Sequence, residues 1–190
     1  MPYDGWAEPG FERGHYGVHI RDSVYTGVSK GYTDRRRVHV GHPTVDEEIF
    51  EWITRLTTVV HARHRFCIAE LGAGWGRWIT TAAGLCGRRG LDYSLVGVEA
   101  EPFRFNLMNT VLRDSFVDPD DHDLLQAAVA ACDGEVFLAG NEERRALYSH
   151  QVIRPNEVLE WQIIPGNVIR SVPAYSLQTV CATHPFIDLV

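Results

Sequence analysis

Between residues 65 and 78 the chain reads as a buried strand that enters a glycine turn and then a helix, and no other stretch limits the fold so tightly. Phe66, Cys67, Ile68, Ala69 and Leu71 make a nearly continuous apolar run, as in a parallel strand covered on both faces. Gly72, Gly74 and Gly76 follow at alternate positions. Glycines there let the backbone turn through dihedrals closed to other residues, and they remove the Cβ atoms that hold a ligand off the main chain.

Beyond the turn, Trp75, Trp78, Ile79, Ala82, Leu85 and Cys86 keep helical spacing, and Gly87 and Gly90 supply stop signals. Residues 93–99 predict the next strand, which completes a βαβ unit with a right-handed crossover. Pro102 opens a third helix with Phe103, Leu107, Met108, Val111 and Leu112 on its apolar side. A third strand is expected over 124–131, and Asp133-Gly134 predicts a hairpin with 135–139 folding back. Residues 140–156 read as loop, 158–164 as a weak strand, Ser176 as the cap of a short helix reaching Ala182, and 186–190 as the start of a buried strand.

Upstream, Thr44 and Glu47 form a capping box for a helix over 44–62. Its expected buried stripe is Val45, Ile49, Trp52, Ile53, Leu56, Val59 and Val60. Residues 1–43 hold no sustained period and read as an amino-terminal arm, with short strands near 18–20 and 37–40. Its aromatic residues Trp6, Phe11, Tyr16, Tyr25 and Tyr32 either pin the arm to the core, the favoured reading, or close over a substrate. The expected organisation is an arm over 1–43 and an α/β domain over 44–190 built on a doubly wound, mostly parallel sheet.

Composition narrows the function classes. A chain of 190 residues that is 45% hydrophobic and 23% charged suits one globular domain. A formal charge of −7 argues against a general nucleic-acid partner, which needs a basic field to displace counterions from phosphate. The basic clusters at Arg35 to Arg37, at Arg63 and Arg65, at Arg88 and Arg89, and at Arg144 and Arg145 read as solvated faces or helix ends. No apolar run approaches the ~20 residues that cross a bilayer, and the first residues lack a secretory pattern. The four cysteines form no CxxC pair, so buried free thiols and a reducing, cytoplasmic setting are expected. His39-x-x-His42 and His61-x-x-His64 have metal-compatible spacing but no completing cysteine or carboxylate set, so no metal is assigned.

The chemistry is read from the strand ends. From Gly72 the pattern is GxGxG, and Arg77 stands where a dinucleotide fingerprint has its third glycine, which counts against a nicotinamide cofactor. Glu70 closes the first strand and Glu99 the second. A carboxylate at the second strand end is placed to accept hydrogen bonds from vicinal ribose hydroxyls, because open α/β sheets bind ligands at the carboxyl edge of their strands.

Residues 70–76 and 96–102 resemble the first two motifs of class I S-adenosylmethionine-dependent methyltransferases, and 125–137 resembles the third-strand segment of the FkbM-type branch. The segment 177–190 is similar to that branch's helix and fourth strand. The resemblance implies a Rossmann-like fold, S-adenosylmethionine as cofactor, and methylation of a hydroxyl on a small molecule such as a saccharide or polyketide. By the same resemblance Gly72, Ala73, Gly74 and Gly76 line the methionine part and Glu70 orients its amino group. Glu99 holds the ribose, Ala100 touches the adenine, and Gln126, Ala127 or Ala128 close the other side of the ring, where plain strand packing is an equally good reading. The branch continues past its fourth strand, whereas this sequence stops at Val190, so an incomplete domain with an exposed sheet edge is expected, open to a second copy or a complementing chain. Two alternatives remain: a nicotinamide-dependent oxidoreductase, and a non-catalytic methyltransferase-like fragment that binds a partner chain.

Overall fold

The computed structural model describes residues 2–24, 28–141 and 150–190. Tyr25, Arg144 and Arg145 lie outside them. The described elements are β1 (Tyr3–Ala7), β2 (Phe11–Arg13), β3 (His19–Arg21), β4 (Arg36–Val40), α1 (Ile49–His61), β5 (Arg65–Leu71), α2 (Arg77–Arg89), β6 (Asp92–Val98), α3 (Pro102–Asp114), β7 (Asp123–Leu125), β8 (Ala128–Ala130), β9 (Gly134–Asn141), β10 (Gln151–Ile153), α4 (Val158–Gln162), β11 (Asn167–Ser176) and α5 (Leu177–Val180). None of the helices among them is long and apolar enough to cross a membrane.

The centre is a parallel sheet of order β5-β6-β7, in register from Arg65 opposite Asp92 to Leu71 opposite Val98. Leu189 adds a parallel bridge to Ile68 on the other side of β5. The Asp188 amide donates to the Cys67 carbonyl at 2.8 Å, and the Ala69 amide donates to the Leu189 carbonyl at 2.9 Å. Both sheet faces are covered, as the unbroken apolar run requires. Phe66, Ile68 and Leu95 pack into the main core with Trp52, Ile79, Met108 and Leu112. Cys67, Ala69, Val96 and Val98 pack on the opposite side with Ala127 and Val180.

A second sheet of order β10-β9-β11-β8 departs from the sequence reading. Strand β7 ends at Leu125 because its partner β6 ends at Val98, and the chain swings past exposed Gln126 into β8. Strand β9 does fold back from Gly134, but it pairs antiparallel with β11 while β8 pairs parallel with β11, so no direct β8-β9 hairpin forms. The expected loop over 140–156 contains the end of β9 and all of β10. The expected strand over 158–164 is instead the short helix α4. A 3-10 turn over Pro155–Glu157 leads into it: the Arg154 amide donates to Glu157 Oε2 at 2.8 Å, and Pro155 opens that turn.

Helix α1 starts later than its predicted capping box. Asp46 accepts the Thr44 hydroxyl at 2.7 Å and the Glu48 amide at 3.0 Å, which pins 44–48 in a non-helical turn. Val45, Ile53 and Val60 of the expected stripe are exposed, and Trp52 and Val59 carry the burial. The arm residues pack inward: Tyr16 joins the main core, and Val18 and Ile20 close over Trp75 and Val111. Arg21 holds Asp114 on α3 through two bonds of 2.6 and 2.9 Å. Cys67 and Cys86 are buried free thiols.

Candidate functional site

The carboxyl ends of β5 and β6 meet at the glycine turn. Gly72, Gly74 and Gly76 all take left-handed backbone, with φ of 77°, 57° and 76°, a region that L side chains enter at a cost of about 1–2 kcal/mol per residue. Their other requirements differ. A Cβ on Gly76 would lie 2.6 Å from Met108 Cγ, so this glycine answers to helix packing, whereas a Cβ on Gly72 would meet nothing within 4 Å.

Four amide groups of the turn are bonded within the protein. Gly72 and Ala73 donate to the Val98 carbonyl at 2.8 and 2.9 Å, Gly76 donates to the Ala73 carbonyl, and Gly74 donates to Glu99 Oε2 at 2.7 Å. The turn therefore offers close approach to its main chain rather than a row of spare donors. Glu99, 8% exposed, accepts the Glu101 amide on its other oxygen at 2.8 Å. Each carboxylate oxygen has more than one acceptor direction, so these bonds orient Glu99 without exhausting it.

Two cavities flank Gly72. One of about 380 Å³ is lined by Glu70, Ala73, Trp75, Arg77, Trp78 and Leu189 among others. The other, of about 370 Å³, is lined by Glu99, Ala100, Glu101, Arg104, Ala127 and Ala128, with β9 and β10 supplying the far wall through Leu138, Gln151 and Val152. Leu71 and Gly72 border both. Each volume falls in the usual range for small-molecule sites, about 300–1,000 Å³. Gln126 is exposed and lies outside both linings.

Glu70 reaches from β5 to the first turn of α2, where its Oε2 accepts the Ile79 amide at 3.0 Å. It replaces the side-chain cap that Gly76 at the helix start lacks. The residue keeps partial surface exposure while its carboxyl group is enclosed, and that burial pushes its pKa up to about 8 against the pull of the Ile79 amide and Arg55. Arg55 and Arg77 stack on Trp78 at 3.6 and 4.6 Å from the ring centroid. Arg77 also pairs with Glu48.

Two site residues escaped the sequence reading. Glu101 is 1% exposed; its Oε2 accepts the Arg104 amide at 2.8 Å as the cap of α3, and its Oε1 faces Arg170 of β11 at 3.9 Å. The signal for it was present, since an acid directly before a helix-opening proline is a capping pattern. Arg170 carried no such signal, because β11 itself was not foreseen.

No family model matches the chain. A protein named "Putative methyltransferase" from Jannaschia sp. (strain CCS1) is 24% identical over 128 residues, which is 67% of this chain and 46% of that protein. The chain thus spans about half the length of that relative. Among solved structures, YjhP from E. coli is 17% identical with a TM-score of 0.32, covering 48% of this chain and 36% of that one. A chain titled "putative class I S-adenosylmethionine-dependent methyltransferase" from Listeria monocytogenes is 14% identical with a TM-score of 0.36, covering 60% and 41%. At such TM-scores these two likenesses carry no argument. The likeness in sequence is to a protein named as a methyltransferase.

Proposed function

We propose that this chain is the cofactor-binding part of an S-adenosylmethionine-dependent methyltransferase of the FkbM type, acting on a hydroxyl oxygen of a small saccharide or polyketide-like acceptor. The observation that carries the reading is the 2.7 Å bond from the Gly74 amide to Glu99, which holds a buried acid against the glycine turn with open space on both sides of Gly72. The residues present fit the cofactor in kind: a carboxylate for ribose hydroxyls, alanine walls for a flat base, and an enclosed acid facing the other cavity.

When bound, the cofactor supplies the electrophilic sulfonium methyl. The chain's own part is orientation. Glu99 accepts from the ribose, and Ala100, Ala127 and Ala128 flank the adenine, with Gln126 at the rim of that strand end. Gly72, Ala73 and Gly74 let the methionine part lie on the backbone, while Gly76 keeps α2 close to Met108. A cationic amino group beside Glu70 would favour its ionised form, releasing the proton to solvent, and the carboxylate would then pair with that group. The fold assigned with this reading is a doubly wound, mostly parallel sheet, and the partner assigned is a second copy or a complementing chain at its β5 edge. The free thiols of Cys67 and Cys86 support a reducing, cytoplasmic setting.

The test is calorimetry with S-adenosylhomocysteine on the wild type, Gly72→Ala and Glu99→Ala. Gly72→Ala meets no protein atom, although its φ of 77° costs an L side chain about 1–2 kcal/mol, so its fold is checked by chemical denaturation; the new methyl group obstructs the ligand and weakens it about tenfold or more. Glu99→Ala removes charge-assisted hydrogen bonds and costs about tenfold to a hundredfold. Unchanged binding in both variants sinks the assignment. Tighter binding of NAD than of S-adenosylhomocysteine to the wild type would instead revive the oxidoreductase reading.

A further inference from the structure

At the amino-terminal edge of the parallel sheet, away from the glycine turn, three segments bring a thiol, an imidazole and a carboxylate into line. Cys67 Sγ of β5 lies 3.5 Å from His184 Nδ1, and His184 Nε2 lies 2.6 Å from Asp123 Oδ2 at the start of β7. Asp123 Oδ2 also accepts the Thr183 hydroxyl at 3.0 Å. The three groups border a cavity of about 420 Å³ together with Arg65, Pro185, Phe186 and Asp188. Cys67 is 4% exposed and is one of the residues that line that cavity.

With Nε2–H donating to Asp123, the Nδ1 lone pair is directed to the thiol. This is the arrangement of nucleophile, base and orienting acid that activates sulfur and oxygen nucleophiles on unrelated folds. Metal binding does not fit, because His184 turns different nitrogens to the two partners, and no group of three or more potential ligands among the described residues is placed to hold an ion.

We propose that Cys67, His184 and Asp123 form a thiol-exchange site that takes low-molecular-weight disulfides. Cys67 gives its S–H proton to His184 Nδ1 as its sulfur attacks one sulfur of the reagent. A Cys67–S–S bond forms, the reagent's S–S bond breaks, and the departing thiolate takes the proton from His184. Cys67 is oxidised and half of the reagent is reduced. Asp123 acts as a positioning residue. Disulfide exchange fits better than acyl transfer, because the residue's own amide, a natural oxyanion donor, is already given to Asp188 Oδ2 at 2.8 Å.

Burial and the neighbouring Asp188 raise the thiol above its ordinary pKa, against the pull of Arg65, with Cys181 and Asp123 as the other ionisable groups facing it. The sulfur is therefore not ionised beforehand, and its reactivity depends on His184.

The test treats the whole chain with 2-hydroxyethyl disulfide over a range of pH and follows each cysteine by time-resolved peptide mass mapping. Exposed Cys132 serves as one reference and buried Cys86 as the other. Cys67 is expected to react at least about tenfold faster than Cys86 across that range. His184→Gln keeps a polar side chain but cannot act as a base, and it is expected to slow Cys67 about a hundredfold without changing Cys132. A Cys67 rate no faster than that of Cys86, or one indifferent to His184→Gln, overturns the proposal. If that variant loosens the fold, seen as a rise in the Cys86 rate, Asp123→Asn is read by the same two criteria.

Discussion

Replacing Glu70 by Gln tests the physics at the turn most directly. The enclosed carboxyl has its pKa raised from 4.5 to about 8. Unfolded chains ionise it above the lower value, whereas the folded chain holds the proton up to the higher one. The favourable contribution of the neutral acid is complete below 4.5 and disappears as pH rises through about 8. The slope is about 1.4 kcal/mol per pH unit across that window, which makes the whole effect on the order of 5 kcal/mol. Gln cannot ionise, yet its amide oxygen can still accept from Ile79. Urea denaturation of both proteins at several pH values between 5 and 8.5 therefore shows Glu70→Gln gaining stability relative to the wild type as pH rises. Saturating S-adenosylhomocysteine flattens the difference, because its amino group favours the ionised acid. Parallel stability curves for the two proteins without ligand would refute the argument.

Other outcomes follow from the same contacts. Gly76→Ala forces a Cβ to 2.6 Å from Met108 Cγ at a φ of 76°, and is expected to cost about 1–3 kcal/mol in chemical denaturation, less so when combined with a smaller residue at 108. Glu99→Ala leaves the Gly74 and Glu101 amides without their acceptor and lowers stability by about 1–3 kcal/mol per orphaned group, separately from its effect on ligand binding. Ile20→Ala removes a buried side chain that packs with Trp75 of the turn; the expected loss is about 2–5 kcal/mol in the same assay.

Periodicity exposed the central unit because β5, α2, β6 and α3 each bury a full face of their own, so the apolar spacing of each records its neighbours. The second sheet lacked that record. Strand β11 is interrupted by Arg170, Ser171 and Pro173, and its partners are set by the distant segments β8 and β9. The beginning of α1 was misread for another reason: Asp46 competes for the very groups, the Thr44 hydroxyl and the Glu48 amide, that a capping box would use. At the glycine turn, the position of Glu99 was legible from its place after a strand. The capping role of Glu70 was not, since it joins two elements through a bond that spans nine positions of sequence.

The wall that β9 and β10 contribute to the second cavity has a kinetic consequence. The buried side chains of that sheet are mostly small, Ala128, Ala139, Val172 and Ala174 with Leu138 and Ile153, while the turn itself rests on the larger core beneath β5 and α2. Regions with sparse apolar burial open at lower free energy than the core. Amide protons of β10 and β11 should thus exchange with solvent well before those of β5 and β6, and the cavity beside Glu99 would open while the one beside Glu70 stays shut.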